Sequence, residues 1–574
     1  KRYNSHQSMK KRVFTALLFF QFLSTLWSAS PDPVFGEKGM VVSTSKHASQ
    51  AGIEILKKGG NAIDAAVAVG FALAVTSPAN GNLGGGGFLV AHLVNGSEIT
   101  LDFREKAPLL AFKELFQDKN GNVVPNMSLG THAASGVPGS VHGLLTIFND
   151  YGSGKVSREK VLSPAIELAK KGFRLTHSEA MNLNDEDGSN FANEAAKKIF
   201  HPKSKVPWKK GDRLIQKDLS NTLKQISENG INGFYRGPIA ELIVKEMNQG
   251  NGLISLKDLN NYESKYRDPV VGKYKNHKII SMGPPSSGGA ILINMLNMLE
   301  AFEEDNLEWN SADYIHLLTE IQRRSYADRA EHMGDSDFWD VPLGMFLSKE
   351  YAKIRIGDIV KDKASPSSFI YAGEPTRQES PETTHYSVID KWGNAVSVTT
   401  TLNTSYGSGI VVDGAGFLLN NEMDDFVSRP GVPNYYGLVG NEANSILPGK
   451  RPLSSMTPTI VLKKNNPFLI LGARGGSTII TSVMQVILNA IEFEMNIYDA
   501  ISSPRFHSQW LPDLIEVESG EFSDKIIDDL KNRGHRVINY RNGPYPGEVN
   551  GIMIKDDRYY GSGDLRFEST ATGY

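Results

Sequence analysis

One hairpin constrains this chain more than any other stretch. His385 to Asp390 alternates in polarity, Lys391-Trp392-Gly393 turns, and Asn394 to Leu402 alternates again. Period-two alternation across a short glycine-containing loop predicts two antiparallel strands. A three-residue loop with Gly393 in the left-handed position sets Asp390 opposite Asn394. Counting outward puts Thr383 opposite Thr401, with Asn403 on the same face as Thr401, whereas a one-residue slip would put Leu402 there and change every face. Just upstream, Tyr371 to Glu382 holds Gly373, Pro375, Pro381 and four charged residues, with no apolar period. That composition predicts a linker. Thr383 therefore stands where a linker becomes a strand.

A threonine whose own α-amine is free carries nucleophile and base in one residue. In the intact chain that amine is locked in the Glu382–Thr383 peptide bond. A cut there makes two chains, the second beginning with a threonine. Threonine-rich alternating strands also arise simply because threonine suits a pleated surface. The rest of the sequence has to decide between these readings.

Several routes to chemistry are closed. The chain has no cysteine, which removes a thiol nucleophile, a disulfide frame and any cysteine-based zinc site. It has no G-x-S-x-G elbow and no H-E-x-x-H pair, and Gly84 to Gly87 lacks the lysine of a phosphate loop. A formal net charge of −3 over 574 residues argues for no nucleic-acid partner. No cofactor or metal is expected. Met9-Lys10-Lys11-Arg12, then a mostly apolar run from Val13 to Trp27 and small residues at Ser28-Ala29-Ser30, form a secretory signal pattern. Lys1 to Ser8 read as sequence upstream of a start at Met9. The expectation is a protein secreted across an inner membrane, periplasmic or extracellular, with no stable membrane anchor.

Helices are predicted at Lys46 to Lys58, Ala62 to Val75 (capped by Asn61), Arg158 to Lys171, Lys217 to Glu228, Pro238 to Asn248, Ala290 to Phe302, Ala312 to Glu331 and Ser477 to Ala490. Strands are predicted at Phe88 to Val94, Glu98 to Phe103, Gly416 to Leu419, Thr459 to Lys463 and Pro467 to Leu471. Residues 31 to about 365 thus read as mostly helical, with a few strands.

Four further stretches carry possible chemistry. Arg104 follows a strand. Asn420 to Phe426 is a burst of amides and carboxylates suited to an ammonium group. Arg451 to Met456 offers the adjacent hydroxyls of Ser454 and Ser455. Gly475 and Gly476 place bare N–H groups at a helix start, which suits an anion or an oxyanion.

In this order, and with Asn82 to Phe88 and Asp102 to Glu105, these stretches resemble the γ-glutamyltranspeptidases of the N-terminal-nucleophile hydrolases. The likeness runs from about Gly36 to Tyr574. It implies an α+β fold, a four-layer αββα sandwich. It also implies residues 1–30 as leader, 31–382 as a large subunit and 383–574 as a small catalytic one. By the resemblance Thr383 is the nucleophile, Thr401 positions it, and Gly475 and Gly476 form the oxyanion hole. Arg104, Ser454 and Ser455 would take the substrate's α-carboxylate, and Asn403, Glu422 and Asp425 its α-ammonium. Tyr436 would lie in a lid loop. The substrates implied are glutathione and other γ-glutamyl compounds, with water, amino acids or peptides as acceptors. Glu422 and Arg474 depart from the more usual glutamine and proline or alanine. A related amidase, such as a cephalosporin, glutaryl or polyglutamate enzyme, and a secreted binding protein that never cuts itself are the alternatives.

Overall fold

The computed structural model of the protein describes residues 31–184, 190–201, 207–302, 307–373, 384–429, 432–435, 438, 442–540, 545 and 547–574. Two seven-stranded sheets dominate it. The first runs, in spatial order, Thr570–Gly573, Gly39–Ser43, Thr384–Asp390, Ala395–Thr401, Gly86–His92, Glu98–Asp102 and Lys265–Arg267. The second runs Val34–Gly36, Arg558–Ser562, Glu548–Lys555, Asn466–Arg474, Thr459–Lys463, His277–Ser281 and Val270–Tyr274. All their pairings are antiparallel.

The sheets face each other across a layer built by alternation. Phe88, Val90 and Ile389 from the first meet Ile280, Ile460, Ile470 and Ile552 from the second, all buried. Full burial of one such side chain contributes roughly 1.5–3 kcal/mol. The outer face of each sheet is covered by helices. Lys46–Lys57 and Ala62–Thr76 pack on the first, with Arg158–Lys171 behind them, and Gly288–Ala301 and Thr478–Ile491 on the second, with Ala312–His332 behind Gly288–Ala301. This is the expected αββα sandwich. Ala62–Thr76 is buried at every residue but Gly70, as its all-round apolar character predicts, and Asn61 and Asp64 close a capping box at its start.

The hairpin has the expected register. Thr384 pairs with Thr400 and Ile389 with Ala395, closed by the Gly393 N–H donating to Asp390 O at 3.1 Å, with Gly393 at φ +91°. Two expectations fail. Gly416 to Leu419 is not a strand but makes isolated bridges, Gly84 with Leu419 and Val411 with Leu418. Gly407, Gly409, Gly414 and Gly416 all hold positive φ, so the segment keeps turning and cannot sustain a ladder. The first 365 residues also carry more strand than expected. Short pieces such as Val34–Gly36 and Lys265–Arg267 occupy or adjoin the sheet edges, where three residues show no period.

Among the described residues no helix is long and apolar enough to cross a membrane.

Candidate active site

Arg104 leaves the strand Glu98–Asp102 and is wholly buried. Its backbone N–H donates to Asp102 Oδ1 at 2.9 Å, which fixes where the side chain starts. The guanidinium then meets protein on every side. Its Nε donates to Pro452 O and its Nη2 to Leu453 O, each at 3.2 Å. One terminal nitrogen pairs with Glu422, the other with Asp425, and Glu105 Oε2 lies 3.4 Å from Nη1. The loop that ends in Ser454 and Ser455 is thus wrapped around Arg104.

One guanidinium faces three buried carboxylates. Burial raises all three carboxyl groups, and Arg104 offsets this only in part. Glu105 is pushed up to about 7, Asp425 to about 6, and Glu422 well above the carboxylate range. Glu105 Oε1, Glu422 Oε2 and Asp425 Oδ1 accept no hydrogen bond from any described residue. Such a site has acceptors to spare and protons to give up to an entering cationic group.

The hairpin end reaches the same place. Thr401 pairs with Gly86, and a Cβ on Gly86 would lie 2.6 Å from Glu105 Oε2. The Asn421 N–H donates to Leu402 O at 3.1 Å, one residue before Glu422. The strand stops at Thr401, and Asn403 turns to φ +73°, so strict alternation does not carry Asn403 onto the face of Thr401. The two are joined instead by the Asn403 N–H, which donates to Thr401 Oγ1 at 2.7 Å.

Gly475 and Gly476 follow the strand Asn466–Arg474 at φ +126° and +69°. Neither N–H donates to a described residue. The turn lies near the hairpin because Gly472 packs on His385, where a Cβ would come 2.5 Å from Nδ1. His385 itself is buried and neutral, bonded to Thr399 and Ser387 at 2.9 and 3.0 Å, with burial lowering it to about 3.

The structure therefore brings Arg104, Glu422, Asp425 and the Ser454–Ser455 loop together, and sets Thr401 and Asn403 beside them. Glu382, Thr383 and Tyr436 lie outside the described residues. Arg104 differs from its expected part in one respect: its fork is held by Glu422 and Asp425, the residues assigned to the opposite substrate charge. Ser455 is held too, since Arg329 Nη2 donates to its Oγ at 2.6 Å. Sequence reasoning gave no individual role to Glu105 or Asn420, though both lie in stretches it singled out, and it missed Arg329. Asn420 Nδ2 donates to Gly84 O and Gly136 O at 2.7 and 2.8 Å and so ties the carboxylate run to the glycine run. Arg329 sits in a helix whose Glu320, Arg323, Arg324 and Asp328 are buried as well, so nothing in the spacing marks the one that reaches the Ser455 hydroxyl.

His316, Glu320 and His535 are the described residues close enough together to hold a metal ion. Their atoms are engaged otherwise. His316 Nδ1 and His535 Nε2 share a hydrogen bond at 2.7 Å, and Arg324 Nη1 and the Ser365 N–H donate to the two Glu320 oxygens at 2.7 and 3.0 Å.

Residues 48–574 match the family model described as gamma-glutamyltranspeptidase. The chain is 45% identical over 544 residues to the glutathione hydrolase proenzyme of Escherichia coli K12, covering 94% of this chain and 93% of that one. The γ-glutamyltranspeptidase of Helicobacter pylori is 44% identical, with a TM-score of 0.56 over 60% of this chain and 96% of that one. A cephalosporin acylase from Bacillus halodurans shares the fold, with a TM-score of 0.85 over 96% of this chain and 98% of that one, at 24% identity.

Proposed function

The chain belongs to the γ-glutamyltranspeptidase family, and from that premise we propose how its residues divide the work. The enzyme is a precursor that cuts itself between Glu382 and Thr383. The Thr383 hydroxyl attacks the Glu382 carbonyl carbon. The C–N bond breaks, the acyl group moves to the Thr383 oxygen as an ester, and the freed amine takes the hydroxyl proton. Water then hydrolyses the ester, leaving a carboxylate on Glu382 and a free Thr383. Residues 31–382 form the large subunit and 383–574 the small one.

In the cut enzyme the Thr383 amine is the base, since an α-amine has a reference pKa near ~8, close to working pH. The hydroxyl attacks a γ-glutamyl amide, and the amine passes the proton to the leaving nitrogen. A second amine or water then takes the acyl group from the ester. The hairpin pairing of Thr384 with Thr400 supports Thr401, the next residue along, as the one that positions the nucleophile. The N–H groups of Gly475 and Gly476 receive the tetrahedral oxyanion.

The observation that carries the substrate assignment is the buried Arg104 facing three carboxylates. A zwitterionic α-amino acid head answers both signs there. Its carboxylate takes the guanidinium, with the Ser454 and Ser455 hydroxyls assisting, as its ammonium takes Glu422, Asp425 and Asn403. Substrate thus enters by exchanging ion pairs. A glutaryl side chain, which lacks the ammonium, leaves the carboxylates unanswered. The donors proposed are glutathione and related γ-glutamyl compounds, and Tyr436 covers the bound head group. The leader pattern at Met9 to Ser30 supports carriage to the periplasm. Kinetics with γ-glutamyl and glutaryl anilides test this reading. It expects hydrolysis of the first to exceed that of the second by at least roughly 100-fold, the scale set by leaving a buried charge unpaired. Equal rates overturn it.

A further inference from the structure

Arg474 is one of two residues at which this chain departs from its resemblance, and the structure gives it a definite place. It is the last residue of the strand Asn466–Arg474, directly before the Gly475–Gly476 turn. Directly opposite it in the ladder stands Glu548, the first residue of the strand Glu548–Lys555. The two side chains form an ion pair, with Glu548 buried and Arg474 half-buried. The guanidinium carbon also lies 4.6 Å from the centre of the Phe567 ring, within the range of a cation–π contact. Glu548 is held in turn by Ser569 Oγ and by Asn550 Nδ2 at 3.3 Å, and Asn550 Nδ2 also donates to His385 O at 3.1 Å.

This arrangement bears on the glycine pair. Two consecutive glycines at positive φ have no side chain to fix the direction of their N–H groups. The flanks must fix it. On the downstream side, Thr478 donates its hydroxyl and its N–H to Gly475 O at 2.5 and 3.2 Å, and Tyr326 donates to Ser477 O. On the upstream side the ladder ends at the Arg474–Glu548 pair, and a ladder end is where strands fray. A cross-strand pair of opposite charge at that last rung closes the end. Glu548 also answers the charge of Arg474, so the residue adds little net field to the turn.

We propose that Arg474 is a positioning residue of the oxyanion turn. Its pair with Glu548 and its stacking on Phe567 hold the Gly475 and Gly476 N–H groups toward the tetrahedral carbon. It touches no reacting atom. The inference rests on the reading of that glycine pair as the oxyanion hole.

The test uses the full, self-cleaved enzyme. Initial rates with a γ-glutamyl anilide give kcat and KM, and a γ-boronate analogue of glutamate, which forms a tetrahedral adduct with the threonine, gives an inhibition constant. Loss of an oxyanion donor outright costs roughly 100- to 1,000-fold in kcat, so a loosened turn should cost about tenfold or more. The expectation is that Arg474→Ala lowers kcat and boronate affinity by similar factors while KM stays within about twofold, that Arg474→Lys recovers most of both, and that Glu548→Gln reproduces the alanine result, because a pair acting as a unit is non-additive. An unchanged kcat in Arg474→Ala overturns the proposal. So does a loss carried by KM alone with boronate affinity intact. Where the alanine variant cannot be isolated, the same readings on Arg474→Gln decide. A wild-type enzyme that fails to cut itself or to hydrolyse the anilide sinks the reading of the site instead, and so the two failures are distinguishable.

Discussion

At the scale of single residues, Arg104 carries the most. Replacing it by alanine leaves Glu105, Glu422 and Asp425 buried against one another with no guanidinium, which is expected to cost about 3–5 kcal/mol of stability. Melting in urea, compared with the wild type, checks this. Arg104→Lys keeps the charge but loses the fork, so it should fold better than Arg104→Ala and still bind γ-glutamyl donors poorly. The carboxylates add a pH dependence with a definite sign. Their folded pKa values are raised, so the folded protein binds more protons than the unfolded chain between ordinary carboxylate values and about 7. Their contribution to stability therefore falls as pH rises through that window. An ammonium group entering beside them replaces those protons. Glutamate should consequently bind tighter as pH rises from about 5 to 7, with net proton release. Calorimetry in two buffers of different ionisation enthalpy measures that release, and proton uptake would refute the sign.

At the scale of elements, backbone contact sets the site. Gly85 lies against the end of the hairpin so closely that a Cβ there would fall 1.9 Å from Thr401 O. Gly85→Ala must push the strand away, at a cost of about 1–3 kcal/mol, and should slow self-cleavage more than it lowers the melting temperature. A time course of precursor loss on a gel measures it. The sequence was most legible where period and turn agreed. Strict alternation and Gly393 were enough for the hairpin register, and an all-round apolar run with Asn61 before it was enough for Ala62–Thr76. It was least legible where elements are short or charged. Val270–Tyr274 lies at a sheet edge, and its one buried face, Val270 and Tyr274, is interrupted by Gly272, too short a period to read. Arg329 lies among charged neighbours in Ala312–His332 that look like a solvated surface, because burial of a paired charge leaves no mark in local spacing. The Asn420 to Phe426 run was legible as chemistry but not as structure, since the positive-φ glycines before it break any period.

At the scale of the molecule, both sheets take strands from both sides of position 383. Gly39–Ser43 pairs with Thr384–Asp390 in one, and His277–Ser281 pairs with Thr459–Lys463 in the other. Two chains cut at that position would stay interleaved through shared ladders and a shared core between the sheets. They should elute as one species in native gel filtration and part only in denaturant. A single denaturing gel therefore tests the central claim, that Thr383 is made a catalyst by its own release. Purified wild-type protein should give two bands, at roughly 38 and 21 kDa on about 0.11 kDa per residue from 63.0 kDa over 574 residues. Thr383→Ala should give one uncut band with no activity. A wild type that remains a single chain, or a Thr383→Ala protein cut as fast as the wild type, would contradict the account.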